Sequence, residues 1–205
     1  MKNHPILPLL LAVATVSAAP ATLPSELKYD RLAVEYSAGG DVRSYGVSAQ
    51  ALLGGRFLVG AVVGENKFKD LGTTAGRDTS AVLGYKFALP QGDLVASLGY
   101  GQVQASGLSG TKAIALQGDA TTLGLAWRQR LNESYEYSVG CAYAGNRQTI
   151  RSTSGATVTT ASASDHDTLV SLELRYNVSS NVDVTLGYTF ASGGNIWSLS
   201  TGYNF

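Results

Sequence analysis

Charge is scarce in this sequence. Asp, Glu, Lys and Arg make up 15% of the 205 residues, where about a quarter is usual, so an ordinary water-facing surface lacks its material. The charge that exists is balanced, 15 basic residues against 15 acidic, which leaves no electrostatic footprint for nucleic acid. Cys141 is the single cysteine. It excludes an intramolecular disulfide, and its distance from the N-terminus excludes a lipid-modified leader cysteine. Outside residues 1–21, His166 is the only histidine; one His and one Cys cannot supply a metal's inner ligands, so neither metal nor cofactor is expected. No long segment keeps a helical period. The apolar stretch "ALLGGRFLVGAVVG" is broken by Gly54-Gly55-Arg56, which reads as a turn between two strands. "GYGQVQASG" is not a phosphate loop, because its glycines alternate and no helix follows.

What is present begins with a leader. Lys2 precedes the apolar run "ILPLLLAVATVSA", which is followed by Ala19-Pro20-Ala21. A basic start, a short apolar stretch and a small-residue cleavage site form a secretory signal peptide over residues 1–21; a membrane-spanning helix would want about 20 apolar residues. Cleavage is expected after Ala21, with Ala18 as the other candidate, leaving residues 22–205 as one exported domain.

That domain resolves into about ten runs of period two, near 28–37, 43–53, 56–65, 79–89, 93–103, 120–131, 134–145, 167–177, 181–191 and 195–205. Each is about ten residues long, the length a tilted strand needs to cross a bilayer. One parity is free of charge, as in Leu32-Val34-Tyr36, Leu94-Ala96-Leu98-Tyr100 and Val182-Val184-Leu186-Tyr188. The other holds Gly, Ser, Thr and Ala together with Arg31, Glu35, Lys86, Arg128, Arg130, Glu136, Glu173, Arg175 and Asp183.

Alternation alone also fits a soluble barrel with a greasy centre. Three further patterns turn the apolar face outward. Aromatics gather at the strand ends: Phe57, Phe87, Trp127, Tyr135, Tyr176, Tyr203 and Phe205 at one level, and Tyr36, Tyr45, Tyr100, Tyr143, Tyr188, Phe190 and Trp197 at the other, as two membrane interfaces select. Short turns such as "LPQGD" and "NVSSN" alternate with long connections such as "NKFKDLGTTAGRD", "QASGLSGTKAIALQGD" and "AGNRQTIRSTSGATVTTASASDH", the asymmetry of periplasmic turns against outer loops. The polar parity is crowded with glycine, where a water-exposed surface would carry longer charged side chains. The expected fold is therefore all-β: a closed, up-and-down, antiparallel transmembrane β-barrel of ten strands, with eight as the alternative because the runs at 43–53 and 56–65 have weak face contrast.

The nine inward charges are expected to form a lumen network that holds the wall together and narrows the bore, with Glu35 and Glu173 somewhat higher than the rest. It is either structural or a gate for small solutes. No catalytic residue is assigned. Asp165-His166-Asp167, with Ser162 and Ser164 nearby, is similar to the acid–His pair of outer-membrane proteases and the Ser–His–acid set of lipid A deacylases, but no His-x-Ser-Asn element accompanies it. The Ser- and Thr-rich segment around 145–166 is expected to be a mobile surface loop, with adhesion or ligand capture as its functional alternative.

The last strand carries Trp197, Leu199, Thr201, Tyr203 and Phe205 on one parity and resembles the C-terminal assembly signal of outer-membrane proteins. The resemblance implies recognition by the barrel-assembly machinery through strand addition. Leader, strand count and final strand together resemble small bacterial outer-membrane β-barrels of the OmpA-like and porin-like kind. The opening "YDRLAVEYSAGG" and the strand spacing are similar, more loosely, to the diffusible-signal-factor-regulated family of small outer-membrane proteins. The resemblance implies a location in the cell outer membrane, contact with its lipid and lipopolysaccharide, and a porin-like or structural function without enzymatic activity. Loop-mediated adhesion and, more distantly, lipid A-directed hydrolysis are the alternatives; the oligomeric state is unknown.

Overall fold

The computed structural model describes residues 29–40, 42–68 and 75–205; the signal peptide expected over 1–21 lies outside them. The alternating runs become ten strands: β1 (Arg31–Gly39), β2 (Val42–Leu53), β3 (Phe57–Phe68), β4 (Ala75–Leu89), β5 (Gly92–Ser109), β6 (Lys112–Arg130), β7 (Tyr135–Ser154), β8 (Thr157–Asn177), β9 (Val182–Phe190) and β10 (Ile196–Asn204). Each pairs antiparallel with the next in sequence, and β1 pairs with β10, from Arg31 opposite Asn204 to Gly39 opposite Ile196, closing the barrel. Closure gives every strand two partners and leaves no open edge around the cylinder, the condition hydrocarbon imposes on a sheet. The count is ten rather than eight: the weak-contrast runs form β2 and β3, paired continuously from Val42–Phe68 to Leu53–Phe57. No helix occurs among the described residues.

The pleat sends the two parities to opposite sides, and burial runs inside out relative to a water-soluble protein. Leu32 and Val34 are 49% and 61% exposed, whereas Arg31 between β1 and the lumen is 5% exposed and Asp93 and Asp183 are fully buried. The end where β1 begins and β10 finishes is the lower end. Around it, Phe57, Tyr85 and Phe87 form an edge-on chain with centroids 5.2 and 4.8 Å apart, and Tyr135 packs on Tyr176 at 5.1 Å. Near the upper end Tyr36 meets Tyr45 at 5.1 Å, and Tyr188 meets Phe190 and Trp197 at 4.6 and 4.2 Å. Cross-strand aromatic pairs of this kind stabilise a sheet face and, in a bilayer, sit at its polar interfaces.

The upper end corrects the expected loops. The segments around 104–119 and 145–166 are not loops but the continued arms of β5–β6 and β7–β8, each closed by a tight turn. Gly110 and Gly155 supply the left-handed backbone there, with φ of 62° and 59°, at no side-chain cost. Thr and Val favour a strand and no proline interrupts the ladder, which runs on to Ser109–Lys112 and Ser154–Thr157. Likewise β3 reaches Phe68 and β4 starts at Ala75, inside the expected connection. The wall is consequently tall along β5 to β8 and low along β9, β10 and β1, whose strands are nine residues each. Against the tall side the inward face carries an apolar cluster of Val42, Phe68, Val103, Leu116 and Leu169 with small alanines.

Candidate functional site

Every titratable group of the lower lumen sits at an inward position, and register decides which meet. Arg130 on β6 and Arg175 on β8 both lie directly opposite Glu136 on β7. Glu136 accepts from Arg128 Nη2 at 2.6 Å and from Arg130 Nη2 at 3.3 Å, with Arg175 Nη1 at 3.9 Å. One carboxylate thus faces three guanidinium groups. The Asn177 amide donates to it as well, at 3.4 Å.

Arg175 also links to a second centre, its Nε lying 3.8 Å from Asp183 on β9. Asp183 takes a two-pronged contact from Arg31, Nε at 3.0 Å and Nη2 at 2.7 Å, together with Asn204 Nδ2 at 2.8 Å and the Thr185 hydroxyl at 3.3 Å. Arg31 belongs to β1 and so reaches across β10 to make this contact. The crossing is open because Gly202, the residue of β10 opposite both Ala33 and Asp183, has no side chain; a Cβ there would run into the Arg31 guanidinium. The bidentate geometry is the stronger form of an Arg–carboxylate pair.

A third centre closes the lowest level. Tyr29, just before β1, turns into the lumen and donates its hydroxyl to Asp93, while the Lys86 ammonium lies 3.8 Å from Asp93 and 4.8 Å above the tyrosine ring. Burial first, and the Asp93 carboxylate second, hold the Tyr29 hydroxyl well above its ordinary pKa, so it remains a donor. Leu58 and Val95 pack around the ring.

Seven of the nine charges singled out by parity therefore enter these three centres. Glu35 and Glu173 do not: neither makes an ion pair within 4 Å among the described residues, and Glu35 instead accepts from the Ser48 hydroxyl. They line a higher recess together with Asp78, Ser44, Thr185 and Ser198. Tyr29, Asp93 and Asp78 join these sites although the sequence reading does not single them out. Tyr29 and Asp93 share the inward parity of Arg31 and Val95, which is the signal that finds them. Asp78 lies one residue before the run expected to begin at 79.

At the upper rim His166 stacks on Tyr143, centroids 5.5 Å apart and planes 14° from parallel. Ser162 bonds Thr149 at 3.1 Å, and Asp167 accepts the Ser192 amide at 3.2 Å. Among the described residues no serine is hydrogen-bonded to His166, so the Ser–His–acid arrangement is not assembled. Trp197, Leu199 and Tyr203 of β10 point outward at 56%, 48% and 53% exposure, Thr201 lies on the same exposed face, and the Phe205 amide donates to the Asp30 carbonyl at 3.1 Å.

No protein-family model matches the chain, and no curated protein sequence does. Solved structures do resemble it. The outer-membrane protease OmpT from Escherichia coli is 10% identical, covering 89% of this chain and 99% of its own, with a TM-score of 0.55. The translocator domain of the autotransporter NalP from Neisseria meningitidis is 13% identical, covering 89% and 91%, with a TM-score of 0.54. A looser likeness, TM-score 0.44 at 13% identity over 87% and 100%, is to Ail, the attachment invasion locus protein of Yersinia pestis. At these identities the first two likenesses establish the fold alone, that of outer-membrane β-barrels.

Proposed function

We propose that the chain is a non-enzymatic outer-membrane barrel of porin-like or structural kind, its lower end periplasmic and its tall hairpins outside the cell. The observation that carries this is the inverted burial: a belt of uncharged Leu, Val, Tyr and Phe on the outer wall encloses Arg31, Asp93, Arg128, Glu136, Arg175 and Asp183, each 6% exposed or less. A contiguous apolar belt is stable only when hydrocarbon replaces water around it, and each inward charge turned to lipid near the midplane would cost about 2–4 kcal/mol for Arg or Lys. The three centres draw on β1 and on β4 to β10 across the lower bore and leave it narrow. Export by the leader, insertion by the barrel-assembly machinery through β10, and a seat among lipid and lipopolysaccharide at the aromatic levels complete the proposal.

Single-channel recording of the refolded protein in a planar bilayer is the test. A plugged barrel gives no steady unitary steps, and neutralising Arg128 and Arg130 together opens it. Steady steps in the unaltered protein would overturn the plug in favour of a conducting pore. A second reading, adhesion through the outer hairpins, is favoured by one observation: β8 pairs with β9 only from Val170 downward, so its arm above that residue presents one unpaired edge to which an extended segment of a partner can add.

A further inference from the structure

Above the three charge centres the lumen changes sign. Among the described residues, the recess beneath the low rim is lined by Glu35, Asp78 and Glu173 and by no Lys or Arg. The bases nearest to it lie on the lower side, Arg175 being the next inward residue below Glu173 on β8. Glu35 and Glu173 have some relief, from the Ser48 hydroxyl and from the bases below. Asp78 has none. It is 5% exposed, and neither of its carboxylate oxygens finds a hydrogen-bond partner among the described residues; Asn66 lies alongside, but its amide closes no bond of acceptable geometry and its own oxygen takes the Ser44 hydroxyl. A buried carboxylate left with two empty acceptors is costly unless a donor or a cation comes to it.

The wall around Asp78 is shaped for this. Gly64 sits opposite it on β3, where a Cβ would come within 2.7 Å of Oδ1, and Gly46 continues the cleared row on β2. Small residues and hydroxyls therefore surround the three acids. Among the described residues no three carboxylate, His or Cys side chains converge tightly enough to ligate one ion directly. The chemistry that fits three spaced carboxylates in a polar recess is an ion that keeps its water shell, as a Mg²⁺-like cation does.

We infer that the upper lumen binds one hydrated divalent cation, held through its waters by Asp78, Glu35 and Glu173, and that the base-rich centres below stop it from passing through. This deepens the porin-like reading and rests on its premise that the inward face lines a lumen. It does not rest on conductance, since a closed barrel holds an ion as well as an open one. The hydroxyls of Ser44, Thr185 and Ser198 orient the shell, and the entry is past the short strands β1 and β10.

The experiment is a Mn²⁺ titration followed by electron paramagnetic resonance on the protein refolded in zwitterionic detergent free of lipopolysaccharide. One saturable Mn²⁺ per chain is expected, displaced by excess Mg²⁺. Asp78→Asn weakens it at least tenfold and Glu35→Gln by a smaller factor, while Glu133→Gln in a lower turn changes nothing. Heat-modifiable gel migration verifies that each variant is folded. Because Asp78→Asn removes an uncompensated charge, that variant is also expected to withstand at least as much urea as the unaltered protein in EDTA. Absence of saturable Mn²⁺, or binding that Asp78→Asn and Glu35→Gln leave intact, would overturn the site. Steady unitary steps with normal Mn²⁺ binding would be failure of the plug alone, and absence of both steps and saturable Mn²⁺ would be failure of the site alone.

Discussion

The two halves of this molecule solve opposite problems with the same alternating strands. In the lower half the wall is a complete ten-strand cylinder, belted by apolar residues and crossed by five bases and three acids in direct contact. In the upper half the cylinder gives way to paired arms of β5 to β8, the inward face turns from cationic to acidic, and among the described residues the Asp78 carboxylate finds no hydrogen-bond partner. Charge placed against charge makes a wall rigid; charge placed against nothing makes a site. The contrast teaches that the lower lumen is organised for strength and the upper for occupancy.

Removing the hub of the lower half should produce the largest effect. Glu136→Gln leaves Arg128 and Arg175, 3% and 6% exposed, with no carboxylate between them. Breaking one side of a buried ion network costs about 3–5 kcal/mol, and the urea midpoint in detergent or liposomes should fall accordingly. Glu35→Gln in the upper half should leave that midpoint nearly unchanged. Equal losses in the two variants would erase the distinction between the halves.

The next effect separates what surrounds each half. Leu98 on β5 and Val158 on the upper arm of β8 are similarly exposed, 53% and 48%. Leu98 has Leu83 and Leu123 as cross-strand neighbours and belongs to the belt; Val158 stands above the aromatic level. Leu98→Arg should cost about 2–4 kcal/mol in a bilayer, whereas Val158→Arg should stay within about 0.5 kcal/mol, as surface changes do. Folding titrations in liposomes measure both. If the two variants behave alike, water rather than hydrocarbon surrounds the lower wall.

A smaller effect probes how the lower half is fitted together. Gly202→Ala places a methyl group where the Arg31 guanidinium crosses β10. The arginine is held on its far side by Asp183 and Ser200, so it cannot simply swing aside. Overpacking of this sort costs about 1–3 kcal/mol, and the double variant with Arg31→Ala should recover most of the loss of packing while still lacking the ion pair. A Gly202→Ala protein with an unchanged urea midpoint would show that the arginine crosses β10 with room to spare.

Much of the lower half is legible in the sequence because a period of two states both the secondary structure and the side each residue takes. Parity brings Arg31, Lys86, Arg128, Arg130, Glu136, Arg175 and Asp183 to the lumen, and direction along the strands sets their height. It cannot say which of them touch, since that depends on register: Arg31 meets Asp183 only because Gly202 leaves the path across β10 clear. The upper half is less legible. Ser and Thr without apolar alternation look like loop to a period-two search, although in β7 and β8 the backbone ladder runs on without a greasy face. Asp78 escapes notice for the same reason, since its segment has the composition of a connection. Tyr29 escapes for a different one: it shares the inward parity of Arg31 but carries no charge to mark it on that face.

Shortening the outer hairpin should have the smallest effect, and it tests whether the upper arms belong to the cooperative unit at all. Arg151 and Thr160 face each other across β7 and β8, so residues 152–159 can be replaced by a two-residue Asn-Gly turn without disturbing the register beneath. The removed arm contributes no member of the apolar cluster on the inward face. Exposed hairpin tips open at little free-energy cost relative to the whole fold, so the urea midpoint should move by less than about 0.5 kcal/mol equivalent, and Mn²⁺ binding at the recess should be unaltered because none of its lining residues is touched. Adhesion in a cell-binding assay, the second reading of the arms, should fall with the arm while both of those quantities hold. A barrel that loses stability or the cation together with the arm would instead mean that the tall side of the wall braces the recess, and the boundary between strength and occupancy would have to be drawn higher.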